Sequence, residues 1–275
     1  MGTPPEARAK AAATYDAAAD TYDHPALSFW SRYGRRTIER LGPRLGARVL
    51  DACCGSGASA IPAAEAVGPR GTVLGVDLAT NLLALARAKA EAKKLSNLEF
   101  RAGDMLALDL PNGSFDDVVC VFGVFFVPDM PAAVHELWRL VRPGGRLALT
   151  TWGPHLFEPL NSVFWSAVRE RRPELHRDFH PWDRITEPAA VRALLAEGGV
   201  RMPPEAHLDT ENGATELRTS DDWWAIVLGS GYRGTIEQLS PADREHVRAA
   251  CDAFVHARRI TAVETNVVYA VASKG

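Results

Sequence analysis

The stretch Arg48-Val-Leu-Asp-Ala-Cys-Cys-Gly-Ser-Gly-Ala-Ser-Ala60 decides the fold of this chain. A short apolar strand ends in the carboxylate of Asp51, a loop of small residues follows, and the spacing predicts a helix that begins at Gly57. Glycine at Gly55 and Gly57 lets a ligand approach the backbone closely, and the helix presents unpaired N–H groups to that ligand. The next strand ends in Asp77, an acid placed to accept ribose hydroxyls. This order of elements predicts a nucleotide-type cofactor site.

The central part of the chain alternates strand and helix, which predicts a doubly wound, mostly parallel α/β sheet. The predicted strands are 48–51, 72–76, 98–101, 117–122 and 146–151, and the predicted helices are 57–67, 80–94 and 131–141. Ligands of such sheets bind beyond the carboxyl ends of the strands. The residues at or just past a predicted strand end are Asp51, Asp77, Asp104 and Phe122. Their common placement predicts one binding edge.

The loop after the first strand is compatible with two classes of cofactor. Gly55, Gly57 and Ala60 fit Gly-x-Gly-x-x-Ala, so an NAD(P)-dependent oxidoreductase is one alternative. Asp51 favours the other class, because a carboxylate at the end of the first strand repels a pyrophosphate and attracts a cationic amine and sulfonium. S-adenosylmethionine carries both cations. A second alternative is a non-catalytic protein that binds S-adenosylmethionine. For Asp51 itself, the alternative is a purely structural role as the cap of the following helix.

The segment Val49-Leu-Asp-Ala-Cys-Cys-Gly-Ser-Gly57 resembles motif I of the class I (Rossmann-like) S-adenosylmethionine-dependent methyltransferases, which usually have glycine where Cys53 stands. The whole pattern is similar to the ubiquinone/menaquinone-biosynthesis C-methyltransferases (methyltransferase type 11). The resemblance implies a seven-stranded sheet whose last strand is antiparallel and lies beside the fifth. It also implies methyl transfer to a small organic acceptor at carbon, oxygen or nitrogen, with S-adenosylhomocysteine as product.

Cofactor contacts follow partly from chemistry and partly from this resemblance. Asp77 can accept two hydrogen bonds from a ribose diol, and Leu78 can cover one face of the adenine. The resemblance implies that Asp104 accepts from the adenine amine with Met105 against the ring. It also implies that the segment carrying Tyr22 closes over the cofactor; the alternative is that this tyrosine pins its helix to the core. The predicted cofactor-binding residues are Tyr22, Asp51, Cys53, Gly55, Gly57, Asp77, Leu78, Asp104, Met105 and Phe122.

Beyond the alternating region the sequence predicts two insertions that recognise the substrate. We expect residues 1–45 to form a helical lid segment, and residues 46–275 to form one domain with insertions at about 152–186 and 211–260. The insertions are rich in aromatic residues, which predicts an apolar substrate chamber; the alternative is that the rings only hold the lid to the sheet. The predicted substrate-pocket residues are Phe126, Trp152, Phe157, Trp182, Trp223 and Trp224.

Four side chains in the first insertion are candidates for a general base. His155 and His180 have intrinsic pKa values near neutrality, and Glu158 and Glu170 come next. A base is needed only where the acceptor atom must lose a proton. The alternative for each histidine is a non-catalytic structural or surface group.

Composition restricts the partners and the compartment. The formal net charge of −3 argues against a nucleic-acid partner. No apolar run approaches the roughly 20 residues that span a bilayer, and no signal peptide opens the chain. The four cysteines lack zinc spacing, so no metal site is expected, and reduced thiols predict a cytoplasmic location. A small molecule is the expected partner.

Overall fold

A seven-stranded sheet flanked by helices forms the centre of the computed structural model, which describes residues 5–202 and 208–275. The strands are β1 Arg48–Ala52, β2 Thr72–Asp77, β3 Leu98–Ala102, β4 Phe115–Val121, β5 Val141–Trp152, β6 Leu208–Glu211, β7 Ala214–Glu216, β8 Ala262–Glu264 and β9 Val267–Ser273. The order in the large sheet is β3-β2-β1-β4-β5-β9-β6, and β7 pairs separately with β8. Strands β1 to β5 pair in parallel, and β9 is antiparallel to both β5 and β6. The predicted topology is therefore confirmed.

Ten α-helices occur in the described part of the chain. They are α1 Pro5–Ala18, α2 Phe29–Leu41, α3 Ala60–Val67, α4 Thr80–Ala92, α5 Met130–Leu140, α6 Leu160–Arg171, α7 Pro188–Glu197, α8 Ser220–Leu228, α9 Arg233–Ile236 and α10 Pro241–Arg258. The prediction that a helix begins at Gly57 was wrong by three residues. Gly57 has a φ of +86°, a left-handed conformation that a right-handed helix excludes, and its N–H closes a turn on the carbonyl of Cys54.

Burial explains why the central strands form where they do. Every residue of β1 after Arg48 is buried, and β4 is buried at every position except Asp116. Continuous burial of this kind is typical of parallel strands covered by helices on both faces. The sequence also predicts a strand near 200–210. The structure has β6 at the end of this range, and residues 203–207 lie outside the described residues.

Helix α2 joins the N-terminal part of the chain to the sheet. Its apolar face is buried and consists of Phe29, Trp30, Tyr33, Ile38 and Leu41. The helix ends at Gly42, whose left-handed backbone places its N–H on the carbonyl of Ile38 at 2.8 Å. Because α2 packs against β5 and α3, the segment before it is brought over the carboxyl ends of the strands.

The two insertions share one aromatic cluster with the N-terminal part of the chain. The ring of Phe157 lies 5.6 Å from Phe29, 5.9 Å from Trp152 and 6.0 Å from Trp223, measured between ring centroids. These rings are almost completely buried. Within the described residues no helix is long and apolar enough to cross a membrane. The division into a lid segment and a domain with two substrate insertions stays a prediction.

Candidate active site

The loop between β1 and α3 passes through the left-handed region three times. Cys53, Gly55 and Gly57 have φ values of +63°, +52° and +86°. A side chain on Gly57 would meet Ile61 at 2.9 Å, so only glycine fits there without a shift. Cys53 keeps the backbone conformation that glycine usually supplies at this position. The loop therefore retains a tight turn despite the cysteine.

Asp77 is fixed at the end of β2 by two backbone groups. Its Oδ2 atom accepts from the N–H of Gly55 at 2.8 Å, and its Oδ1 atom accepts from the N–H of Ala79 at 2.9 Å. Burial raises the pKa of this carboxyl, and the backbone hydrogen bonds partly oppose that shift. Each carboxylate oxygen can accept a further hydrogen bond. The side chain lines a cleft, where these remaining positions can serve a ligand.

This cofactor cleft runs along the carboxyl ends of β1, β2 and β4. Eight of the ten predicted cofactor residues line it: Tyr22, Cys53, Gly55, Asp77, Leu78, Asp104, Met105 and Phe122. Asp104 is buried, and its Oδ1 atom accepts from the N–H of Leu106 at 3.0 Å. Asp51 and Gly57 do not line the cleft. The structure thus brings most of the predicted set together, while the individual roles stay predictions.

Asp51 lies behind the loop rather than in the cleft. It is completely buried, and its Oδ2 atom accepts from the Ser59 hydroxyl at 2.7 Å. Its Oδ1 atom has no hydrogen-bond partner among the described residues. Burial raises the pKa of this carboxyl to about 7, although the bond from Ser59 opposes the shift. In this structure Asp51 holds the loop, and a direct contact with a cofactor stays a prediction.

Helix α1 contributes a wall of the cleft that the sequence analysis did not assign. Its lining residues are Arg8, Ala11, Ala12 and Tyr15, and Trp30 of α2 joins them. The ring of Tyr15 contacts Phe126 edge to face at 5.3 Å, while Tyr22 stacks on Trp30 at 5.5 Å. The recurrence of tyrosine at positions 15 and 22 was the available signal in the sequence, although α1 ends at Ala18 and Tyr22 lies in the turns that follow it.

The candidate bases lie outside the cofactor cleft. His155, His180 and Glu158 line a second cavity, here called the insertion cavity, whose walls come from residues 155–183. One contact between the two spaces joins Phe125, which lines the cleft, to Trp182 of the insertion cavity, with ring centroids 5.7 Å apart. Glu170 lines neither space and pairs with His246 at 3.1 Å on the surface. None of the four is placed beside the predicted cofactor residues.

His180 is held in one orientation. Its ring stacks on Trp182 with centroids 4.5 Å apart, and its side chain accepts from the backbone N–H of Asp183. Burial lowers the pKa of the imidazole to about 4. A neutral imidazole that accepts on one nitrogen carries its proton on the other, so this ring offers a donor to the cavity. Its predicted role as a base stays untested.

The predicted substrate residues separate into two groups. Phe126 lines the cofactor cleft and Trp182 lines the insertion cavity. The other four, which line neither space, are Trp152, Phe157, Trp223 and Trp224. Trp152 stacks on Phe122 at 3.9 Å and belongs to the core. In the structure these four side chains pack against other protein groups. Their contact with a substrate stays a prediction.

Comparison with known proteins identifies the family. A family model described as a methyltransferase domain matches residues 49–145, which run from β1 into β5. Nocamycin O-methyltransferase from Saccharothrix syringae is 32% identical over 249 residues, which cover 86% of this chain and 87% of that protein. The chain is a class I, S-adenosylmethionine-dependent methyltransferase.

Other relatives of this methyltransferase match over different lengths. Aklanonic acid methyltransferase DauC from Streptomyces sp. (strain C5) is 34% identical over 68% of this chain and 90% of that protein. Demethylmenaquinone methyltransferase from Lactococcus lactis is 38% identical, but over 41% of this chain and 44% of that protein. The YcgJ protein of Bacillus subtilis has the same fold, with a TM-score of 0.56, 18% identity and coverage of 88% and 98% of the two chains.

Proposed function

We propose that this methyltransferase binds S-adenosylmethionine in the cofactor cleft and methylates a small, apolar or aromatic organic acceptor. The main support for this proposal is Asp77, whose carboxylate accepts from the backbone N–H groups of Gly55 and Ala79. These bonds hold the carboxylate in the cleft beside the glycine loop. The apolar side chains of Leu78 and Met105 in the same cleft suit a flat heterocycle. The residues present therefore fit the adenosyl group.

The protein's contribution is chiefly to position the reactants, since the bound sulfonium supplies an already activated methyl group. Asp77 would accept from the ribose hydroxyls, with Leu78 and Met105 against the adenine. Tyr15 and Tyr22 line the cleft and would shield a bound ligand from water. Orientation of two bound reactants can contribute about 7–11 kcal/mol to lowering a barrier.

The acceptor is inferred from the relatives and from the aromatic surroundings. The matches cover most of the length of nocamycin O-methyltransferase and of aklanonic acid methyltransferase, which supports a small organic acceptor. The first of these relatives favours oxygen as the methylated atom. The shorter match to demethylmenaquinone methyltransferase keeps a quinone-type carbon acceptor as the second candidate. The insertion cavity lies next to the cleft across Phe125 and Trp182, which supports it as the acceptor side.

Calorimetry with S-adenosylhomocysteine tests this proposal through Asp77→Asn. We expect binding about 100-fold weaker than in the unchanged protein, because two charge-assisted hydrogen bonds of about 1.5 kcal/mol each are lost. Asp116→Asn is the matched control, since Asp116 pairs with Arg142 at the opposite end of the strands. We expect its affinity to be unchanged.

The same titration decides between the cofactor classes. Absence of heat from S-adenosylhomocysteine would overturn the proposed use of the cleft, and heat from NAD or NADP would show that the cleft accepts a dinucleotide instead. Turnover is then measured by transfer of a labelled methyl group to a panel of aromatic acids, phenols and quinols. Cofactor binding without transfer to any of them would favour the non-catalytic alternative.

A further inference from the structure

Two Tyr-Asp pairs stand seven residues apart in the N-terminal segment, defined here as residues 5–24: Tyr15-Asp16 and Tyr22-Asp23. Both tyrosines line the cofactor cleft, and neither aspartate does. Each aspartate instead makes contacts with α4, outside the cleft. In each pair, therefore, the tyrosine lines the cofactor cleft and the aspartate contacts α4.

Asp16 supplies a cap that α4 lacks. The residue at the N-cap position is Ala79, which has no polar side chain. The Oδ1 atom of Asp16 accepts from the backbone N–H of Asn81 at 2.8 Å, and its carbonyl accepts from the Asn81 side chain at 3.1 Å. A carboxylate at this place satisfies a free helical N–H and interacts favourably with the helix dipole. The start of α4 thus gains its cap only when the N-terminal segment is docked.

Asp23 is bonded about two turns further along α4. The Lys89 ammonium donates to the Asp23 carboxylate and, at 3.0 Å, to the hydroxyl of Ser56. Ser56 belongs to the glycine loop and lines the cofactor cleft. The hydroxyl of Tyr22 lies 3.5 Å from the position where a side chain on Gly55 would begin. Lys89 therefore links Asp23, which follows Tyr22 in the sequence, to the glycine loop beside the Tyr22 hydroxyl.

We propose that Asn81 and Lys89 are positioning residues, which hold Tyr15 and Tyr22 over the bound cofactor through Asp16 and Asp23. The proposal rests on the proposed function, because it takes the cleft as the cofactor site. The ion pair of Lys89 is partly exposed, with side-chain exposures of 35% and 52%, so it contributes little by itself. The ion pair instead favours the docked state of the N-terminal segment over the undocked state. Cofactor binding shifts the same equilibrium toward the docked state.

The test measures affinity for S-adenosylhomocysteine and its dissociation rate in two variants. We expect Asp16→Ala to weaken binding about fivefold, the effect of one lost cap. We expect Lys89→Glu to weaken it about tenfold, because attraction to Asp23 becomes repulsion. Both losses appear mainly as faster dissociation, since the undocked segment no longer retains the ligand. Adding Asp23→Lys to Lys89→Glu restores the opposite charges and recovers most of the affinity.

Lys93→Glu is the matched control. Lys93 is the C-cap residue of α4 and pairs with Glu65 at 2.7 Å rather than with the N-terminal segment. A second measurement needs no cofactor: amide exchange of residues 5–24 in the free protein rises in Asp16→Ala and Lys89→Glu and stays unchanged in the control. Unaltered affinity and exchange in both variants would overturn the positioning role. Absence of S-adenosylhomocysteine binding in the unchanged protein would overturn the proposed function instead.

Discussion

Cys53 has a left-handed backbone in the loop that carries the cofactor cleft. Its Sγ atom lies 3.8 Å from the Sδ atom of Met105, so the side chain packs against a residue from the loop after β3. Cysteine tolerates this conformation at some cost, whereas a residue branched at Cβ is strongly disfavoured there. The loop geometry therefore restricts position 53 to small, unbranched residues.

Substitution of Cys53 tests this restriction. We expect Cys53→Val to lower the free energy of unfolding by about 2 kcal/mol or more, as measured by urea denaturation, because valine adds branching to a left-handed residue. Cys53→Gly should change the free energy of unfolding by less than about 1 kcal/mol. The relief of backbone strain in the folded protein is offset by a more flexible unfolded chain. Cys251→Val in α10 is the control, with an expected loss below about 1.5 kcal/mol. Equal losses at both valine sites would contradict the argument.

Asp51 makes stability depend on pH. Its pKa is raised from 3.8 to about 7 by burial, so the folded protein retains a proton that the unfolded chain releases. The contribution of the Asp51 carboxyl to the free energy of unfolding is fully present below pH 4, and it is lost as the pH rises through about 7.

Comparison with Asp51→Asn isolates this effect. We expect the unfolding free energy of the unchanged protein, relative to the variant, to fall by about 2–3 kcal/mol between pH 5 and pH 8, since each unit of pKa shift corresponds to about 1.4 kcal/mol. Urea denaturation of both proteins at the two pH values provides the measurement. A constant difference would show that Asp51 is ionised in the fold across this range.

At the scale of elements, α1 and α2 differ in how they are held. Seven residues of α2 are buried, including Tyr33, whose hydroxyl donates to the carbonyl of Thr265. Helix α1 is mostly partly exposed or exposed, and the contacts described for it include Tyr15 and Asp16. Local opening is easiest where few apolar groups are buried. We therefore expect the order of α1 to depend on whether a ligand occupies the cleft.

Hydrogen exchange with and without S-adenosylhomocysteine tests this difference. We expect the ligand to slow amide exchange in α1 at least tenfold and to leave α2 nearly unchanged, because α2 is anchored to the sheet in both states. Mass spectrometry of the peptides from each helix reports the two rates separately. Equal protection of both helices would indicate a global stabilisation rather than docking of α1.

The sequence predicted the sheet well because its signals are local. Small residues after β1 and the acid that ends β2 mark the strand ends directly. Asp77 and Asp104 line the same cleft in the structure, and their binding roles stay predictions. The start of α3 was missed because the left-handed conformation of Gly57 is a property of the packed loop. Long-range packing also decides whether a ring such as Trp223 faces a cavity or the core, and composition does not encode that choice.

At the scale of the whole molecule, the buried aromatic cluster joins three parts of the chain. Phe29 comes from α2, Phe157 from the first insertion and Trp223 from the second, and all three pack near Trp152 of β5 or each other. Rings in edge-to-face contact contribute beyond their buried area. We therefore expect the predicted insertions to fold together with the sheet rather than as separate flaps.

Truncation of Trp223 measures this coupling. We expect Trp223→Ala to lower the free energy of unfolding by about 3–5 kcal/mol, the usual cost of removing a fully buried tryptophan, in a single cooperative transition. Trp224→Ala should cost less, because that ring lies at the edge of the core and contacts the partly exposed Arg248. Urea denaturation followed by circular dichroism gives both values. A separate early transition in Trp223→Ala would show that the second insertion unfolds alone.

The place of β9 in the sheet has a consequence for synthesis on the ribosome. Residues 267–273 lie between β5 and β6, so the sheet keeps an open edge at β5 until these residues have been translated. Domains generally fold as they emerge, and exposed edges in nascent chains promote aggregation. A nascent chain arrested before residue 267 therefore exposes the hydrogen-bonding edge of β5, and it is at this stage that we expect a chaperone to bind.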